Sequence, residues 1–348
     1  MIGFSLDLTL ESSLMKTYID KMHGAGFKSV FITINIPEDD SKEEYKERLT
    51  ILGKQCKKYN MTIMLSVSKQ SLKETKIDLE DIEFLKSIGI NGIRVTKETT
   101  NERIAEISKH FRVGISASHT TKQDIKKLKE LGCDLSKLEA WFNYYSREDT
   151  GLSMDYMREK IKFWKKRGIE TVAFSPGDST EEVMNEYVTL ECHRGRSPLY
   201  SIIDLIEDAG VDSCYVGDSP IGEKTIYQVK EYSFNKIIPL YVDVLDEEAF
   251  ELVCGIHNNC KDEAENVVRF DKKIEGINIV DRYLVSRPKG SLTIDNHRYG
   301  RFMGEVQITK KDLALDRRVT VIGRVREEDL ELVDKIHGRT GFELIENN

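Results

Sequence analysis

Across the first 235 residues of this 348-residue chain, a short apolar run, a turn and an amphipathic charged stretch follow one another again and again. The apolar runs are Ile2–Leu6, Ser29–Ile34, Thr62–Val67, Gly92–Val95, Val113–Ala117, Leu138–Phe142, Thr171–Phe174 and Ser213–Val216. Helical patterns lie between them, among them Ser12–Ala25, Lys42–Tyr59, Glu102–Phe111, Thr121–Leu131, Ser153–Arg167 and Pro198–Ala209. Gly26, Gly89, Gly132, Gly168 and Gly210 stand shortly before the next run, where a helix needs a left-handed stop. Strand signals alternating with helices argue for a parallel sheet of βα units. Eight such units close a barrel of about this length. The expectation is an α/β architecture, a TIM-type (β/α)8 barrel over residues 1–236, with a doubly wound open sheet as the alternative.

The pattern changes near Asn235–Pro239. Short alternating segments follow: Ile237–Val244, Ile277–Ile279, Ser291–Ile294, Glu305–Ile308, Val319–Ile322 and Phe342–Ile345. Turn signals separate them, and Glu327–Lys335 reads as a helix. Residues 240–348 are therefore expected to form a small, mostly β second domain.

Charge and motifs exclude several function classes. Lys and Arg number 52 against 60 Asp and Glu, a net charge of −8, with both signs interleaved along Lys122–Glu130 and Arg158–Arg167. A nucleic-acid partner calls for a basic face, so none is expected. There is no basic-then-apolar leader pattern and no run of 18 apolar residues, so no membrane role is expected. The cysteines Cys56, Cys133, Cys192, Cys214, Cys254 and Cys260 lack CxxC spacing and read as reduced thiols of a cytoplasmic protein. Cys254, His257 and Cys260 lack a fourth ligand, and no nucleotide fingerprint appears, so neither metal nor cofactor is expected. Homodimerisation stays open.

In a βα barrel the chemistry sits at the C-terminal ends of the strands. Asp7 ends the first. The sixth leads into Trp141-Phe-Asn143-Tyr144-Tyr145, then Glu148-Asp149-Thr150-Gly151. Aromatic faces and amide donors there suit a sugar ring. The loop Ser175–Arg196 after the seventh ends Glu191-Cys-His193-Arg194-Gly-Arg196, ahead of a helix start at Ser197-Pro198. Arginines beside free helix N–H groups are an anion-site candidate; the alternative is that they pair with Glu191 or Asp218. Carboxylates at strand ends without a metal or nucleophile motif point to acid/base work of the glycosidase kind, and Asp7, Glu191 and Asp149 are the candidates.

Three groups of residues resemble one family. They are Phe142-Asn143-Tyr144-Tyr145 with Thr150-Gly-Leu152; Thr189-Leu-Glu191-x-His193-Arg194; and Gly290-x-x-x-Ile294-Asp295-Asn296-x-x-Tyr299-Gly300-Arg301-Phe302-x-Gly304-Glu305-Val306-Gln307-Ile308. The chain is similar, over essentially its whole length, to 6-phospho-N-acetylmuramidases of glycoside hydrolase family 170, once labelled outer surface proteins. The resemblance implies a TIM-type barrel followed by a cyclophilin-like β domain. It also implies hydrolysis of the disaccharide of N-acetylmuramic acid 6-phosphate and N-acetylglucosamine in cytoplasmic cell-wall recycling. Family members carry Tyr-Pro-Glu where this chain has Asp7-Leu8-Thr9, and an apolar residue in place of Asp149, so this chain places its carboxylates in its own way. Asn143, Tyr145, His193, Arg194, Arg196, Asn296 and Arg298 are the expected substrate contacts. Two rivals remain: a lyase or isomerase of sugar phosphates using Lys97 as a Schiff base, and a non-catalytic sugar-phosphate binder.

Overall fold

A computed structural model of the protein describes residues 1–33, 42–67, 82–178 and 187–346. Ile34, the end of the second expected run, and positions 179–186 of the loop after the seventh lie outside the described residues. The chain divides into two compact units, Met1–Ile226 and Tyr227–Asn348.

The first unit is a closed barrel of eight parallel strands. They are β1 (Ile2–Ser5), β2 (Ser29–Thr33), β3 (Thr62–Val67), β4 (Gly92–Val95), β5 (Arg112–Ser116), β6 (Leu138–Trp141), β7 (Glu170–Ser175) and β8 (Ser213–Val216). Closure comes from β1 pairing in parallel with both β2 and β8, with Gly3 opposite Ser29 on one side and Tyr215 on the other. The described helices are α1 (Ser12–Gly24), α2 (Lys42–Lys58), α3 (Ile82–Ser87), α4 (Asn101–Ser108), α5 (Lys122–Glu130), α6 (Met154–Lys165), α7 (Pro198–Ile203) and α8 (Glu223–Asn235). The five anticipated glycine stops all adopt positive φ, between 67° and 90°, a conformation that costs any other L-residue strain. Ser153 caps α6 at Tyr156, and Ser197 with Pro198 opens α7. The expected helix Pro198–Ala209 is not uniform: after Ile203 it widens into a π turn, Asp204–Ala209.

Alternate strand positions fill the barrel with Phe31, Met64, Trp141, Val172, Phe174 and Tyr215. Their rings interlock, Phe31 on Trp141 at 5.4 Å and Trp141 on Tyr215 at 5.0 Å between centroids. Burying each aromatic contributes about 2–3 kcal/mol. Gly114 makes this possible, since a Cβ there would lie 2.8 Å from Trp141 Cδ1 and 3.1 Å from Arg94 Cβ. Beneath, at the strand N-termini, lies a polar layer. The Thr62 hydroxyl donates to Ser29 (2.7 Å), Ser29 and Tyr215 share a 2.6 Å bond, and Trp141 Nε1 donates to Glu139 (2.8 Å), which pairs with Arg112. A cavity of about 10 Å³, room for one water, sits among these groups. It is at the end of the barrel associated with stability.

The second unit, taken by itself, holds a seven-stranded sheet in the order β10-β15-β9-β14-β12-β13-β11. Its strands are β9 (Ile237–Val244), β10 (Gly255–Asn258), β11 (Val267–Arg269), β12 (Ser291–Asp295), β13 (Val306–Thr309), β14 (Val319–Val325) and β15 (Gly341–Glu346), with a short helix α9 (Glu247–Glu251). All pairings are antiparallel except β9 with β15. One local expectation fails, and two strands come in addition. Ile277–Ile279 is not a strand: Ile277 is exposed, and the Ile279 carbonyl accepts from His297 N–H instead of a ladder partner. β10 and β11 are strands that alternation did not flag, being short and half polar. Glu327–Lys335 is helical as expected, and of the 3₁₀ kind.

Candidate active site

The C-terminal ends of the barrel strands carry a polar mouth. Asp7 follows β1 and is exposed. One carboxylate oxygen accepts from Thr9 N–H at 2.8 Å, an Asx turn, and the other meets no donor among the described residues. Tyr144, after β6, packs edge-on against Phe174 at 5.3 Å and Tyr187 at 4.6 Å. Burial first, then Tyr144, Asp218 and Asp7, raise the Tyr187 pKa, so these four residues share one neighbourhood. Asp218 accepts from the backbone N–H groups of Gly177 (2.8 Å) and Tyr187 (3.2 Å).

Beside the mouth the loops after β6 and β7 lock together. Tyr145 N–H donates to Val188 O (2.8 Å), Leu152 N–H to Thr189 O (2.9 Å), and Glu191 N–H to Leu152 O (3.1 Å). The Glu191 carboxylate accepts from the N–H groups of Asp149 (2.9 Å) and Gly151 (2.7 Å), and takes the Arg194 fork at 2.6 and 2.9 Å. Gly151 has no Cβ because Glu191 N would lie 2.6 Å from it. Arg194 above all, and then the two amides, hold the Glu191 carboxyl down at about 2. It is therefore ionised at neutral pH. Asp149 sits at φ 62° in this clasp, exposed, with its carboxylate unbonded among the described residues.

The other expected substrate contacts are distributed as follows. Arg194 spends its donors on Glu191 and on the carbonyls of Tyr145 (3.1 Å) and Arg147 (3.2 Å). His193 is fully buried and shares a 2.8 Å bond with Asp204. Arg196 is exposed and donates to Cys192 O at 3.4 Å. Tyr145 is half-buried, and burial raises its pKa. Lys97 is exposed in the turn after β4. In the second unit Asn296 is fully buried, its side chain accepting from Arg298 N–H (3.0 Å) and donating to Arg317 O (3.1 Å). Arg298 pairs with Asp281 at 2.5 Å. Thus the geometry gathers Asp7 and Tyr144 at the mouth and Glu191, Arg194, Asp149 and Tyr145 in the clasp. His193 and Asn296 are turned into their own interiors.

Sequence reading missed Arg94, although Asn143, its partner, was picked out. Arg94 lies on β4, two residues past Gly92 and on the same inward face. Its guanidinium donates to Asn143 Oδ1 (2.5 Å) and Ser66 Oγ (3.3 Å) and stands 5.8 and 5.9 Å over the rings of Phe31 and Trp141. Burial lowers its pKa, and nearby Tyr144 opposes that effect. A signal was present, because a charge inside a four-residue barrel strand has an apolar face on one side and the barrel on the other. Among the described residues no cluster of three or more His, Cys, Asp or Glu suits a metal, and no helix is long and apolar enough to cross a membrane.

Known proteins share the fold and the family signature of this chain. A conserved protein of unknown function from Enterococcus faecalis superposes with a TM-score of 0.89 at 33% identity, covering 100% of this chain and 97% of its own. An uncharacterised Bacillus cereus protein shares the fold at a TM-score of 0.71 and 24% identity, with 99% of each chain covered. No curated protein matches. The family model for the N-terminal part of 6-phospho-N-acetylmuramidase matches residues 2–231, and that for its C-terminal part matches residues 238–345. Both halves of the chain thus carry the same signature, and the protein belongs to the 6-phospho-N-acetylmuramidase family of glycosidases.

Proposed function

We propose that the protein hydrolyses the glycosidic bond between N-acetylmuramic acid 6-phosphate and N-acetylglucosamine, without metal or nucleotide, in cytoplasmic recycling of cell-wall fragments. The observation that carries the reading is the match of both family models, end to end. All six cysteines are free thiols, which supports a reducing compartment.

In this reading Asp7 is a working carboxylate of the acid/base pair, since it stands at the mouth beside Tyr144 and Tyr187 with one oxygen uncommitted. Asp149 is the second. Glu191, held ionised by Arg194, is a positioning residue that fixes the turn carrying Asp149. Tyr144 and Tyr187 offer ring faces to the sugar. The test is release of both sugars from the phosphorylated disaccharide, by wild type and by Asp7→Asn. Wild type should cleave it, and the variant should lose about 10²–10⁴ in kcat with its fold intact. An inert wild type overturns the function, and a fully active variant removes Asp7 from the mechanism.

A further inference from the structure

Arg94 is a cation placed inside the barrel that meets no carboxylate among the described residues. Among the described residues its partners are an amide oxygen, a hydroxyl and two aromatic faces, all neutral. A charge taken out of water into such surroundings is costly unless an opposite charge joins it. Cation–π contact offsets a small part of that cost. Two hydrogen bonds also leave most of the five N–H donors of a guanidinium unspent. The side chain keeps some exposure.

The surroundings are shaped for this. Gly114, opposite Arg94 in the β4–β5 register, leaves no Cβ where the Arg94 stem and Trp141 lie. Two residues on, Ser116 shares a 3.0 Å bond with His119, adding hydroxyl and imidazole groups at the next strand end. Asn143 aims its oxygen at the guanidinium, which fixes the fork but supplies no counter-charge. Arg194, by contrast, is already neutralised by Glu191.

We infer that Arg94, oriented by Asn143 and Ser66, is the residue that binds a substrate oxyanion in the barrel mouth and so determines specificity. The inference rests on the function proposed above. It gives the oxyanion two sources, the 6-phosphate and the carboxylate of the lactyl ether of muramic acid, both of which fit the planar fork.

The experiment uses three disaccharides: the full substrate, its unphosphorylated counterpart, and the 6-phosphorylated counterpart lacking the lactyl ether. Each is given to wild type, Arg94→Gln and Asn143→Asp. The last variant supplies Arg94 with an internal carboxylate, so it occupies the site while keeping the fold. Both variants should lower kcat/KM on the full substrate by about tenfold to a hundredfold, and both should lose the wild-type preference for one anion. The preference that collapses identifies the anion Arg94 reads. Variants that keep both preferences overturn the proposal. Should wild type cleave none of the three, the activity is wrong, and binding decides Arg94 separately. Inorganic phosphate or D-lactate should then raise the Tm of wild type and not of Asn143→Asp; equal shifts, or none, overturn the site.

Discussion

Arg194 has a carboxylate oxygen at 2.6 Å and carbonyls at 3.1 and 3.2 Å, whereas Arg94, in the same barrel, has one amide oxygen, one hydroxyl and two aromatic rings. The two side chains are chemically identical, and their surroundings assign them different work. In the clasp Glu191 and Arg194 meet each other's charge, and the product is a fixed loop. In the mouth Arg94 meets no carboxylate among the described residues, which suits it to the substrate anion inferred above. The motif residues Thr150-Gly-Leu152 and Glu191-x-His193-Arg194 bond chiefly to one another and to neighbouring backbone, which makes much of the recognisable signature architectural. Acids of the two units, each in its own surroundings, differ in the same sense. Glu191 is held near 2 by its partners, while burial and the nearby Glu305 and Asp316 push Asp295 up to about 7.

The largest expected effect comes from opening the clasp. Glu191→Gln leaves the Arg194 guanidinium, 11% exposed, without its counter-charge and weakens two amide bonds. Urea unfolding should report a loss of about 2–3 kcal/mol. Adding Arg194→Met should recover part of it, because the two changes share one interaction. A loss below about 0.5 kcal/mol would reduce the clasp to an ordinary surface pair.

Next in size is the pH response of Asp295, which is 3% exposed. Its raised pKa means that between pH 4 and 7 the folded unit holds a proton the unfolded chain has released. That contribution is fully present below about pH 4 and is lost as pH rises toward 7. Asp295→Asn should flatten this limb and be the more stable form at pH 8. Glu191 has the opposite sign: its contribution is present above about pH 4.5 and fades as pH falls toward 2. Thermal unfolding from pH 2 to 8 of both variants separates the two limbs.

The smallest effect sharpens the account of the mouth. Gly114→Ala adds a methyl 2.8 Å from Trp141 Cδ1 and 3.1 Å from Arg94 Cβ, an overpacking worth about 1–2 kcal/mol. Because the intrusion moves Arg94, substrate KM should rise more than Tm falls. A change in Tm alone would detach Gly114 from the binding site.

The barrel was legible because its strands are buried on both faces, so each reads as an apolar run, and because left-handed helix stops demand glycine. Thr62–Val67, Gly92–Val95 and Ser213–Val216 fall where the pattern puts them. β10 and β11 were not legible, since half-exposed short strands leave no apolar run. At the site, sequence picks out residue types at strand ends but not their partners. Glu191 and Arg194 are three apart, and the alternative that they pair is the one the structure bears out; only the folded loops add the Asp149 and Gly151 amides to that pair. Arg94 failed for the converse reason. A lone arginine in a strand looks like solvent decoration until parity with Gly92 turns it inward.

The interlocked rings of Phe31, Trp141, Phe174 and Tyr215 close the barrel from beneath. On the proposed reading, a substrate anion held by Arg94 has these rings at its back, and after cleavage the anionic fragment is still held by the same cation. Accumulated product should then compete with incoming substrate, and the pace of the whole cycle should follow how quickly that fragment leaves.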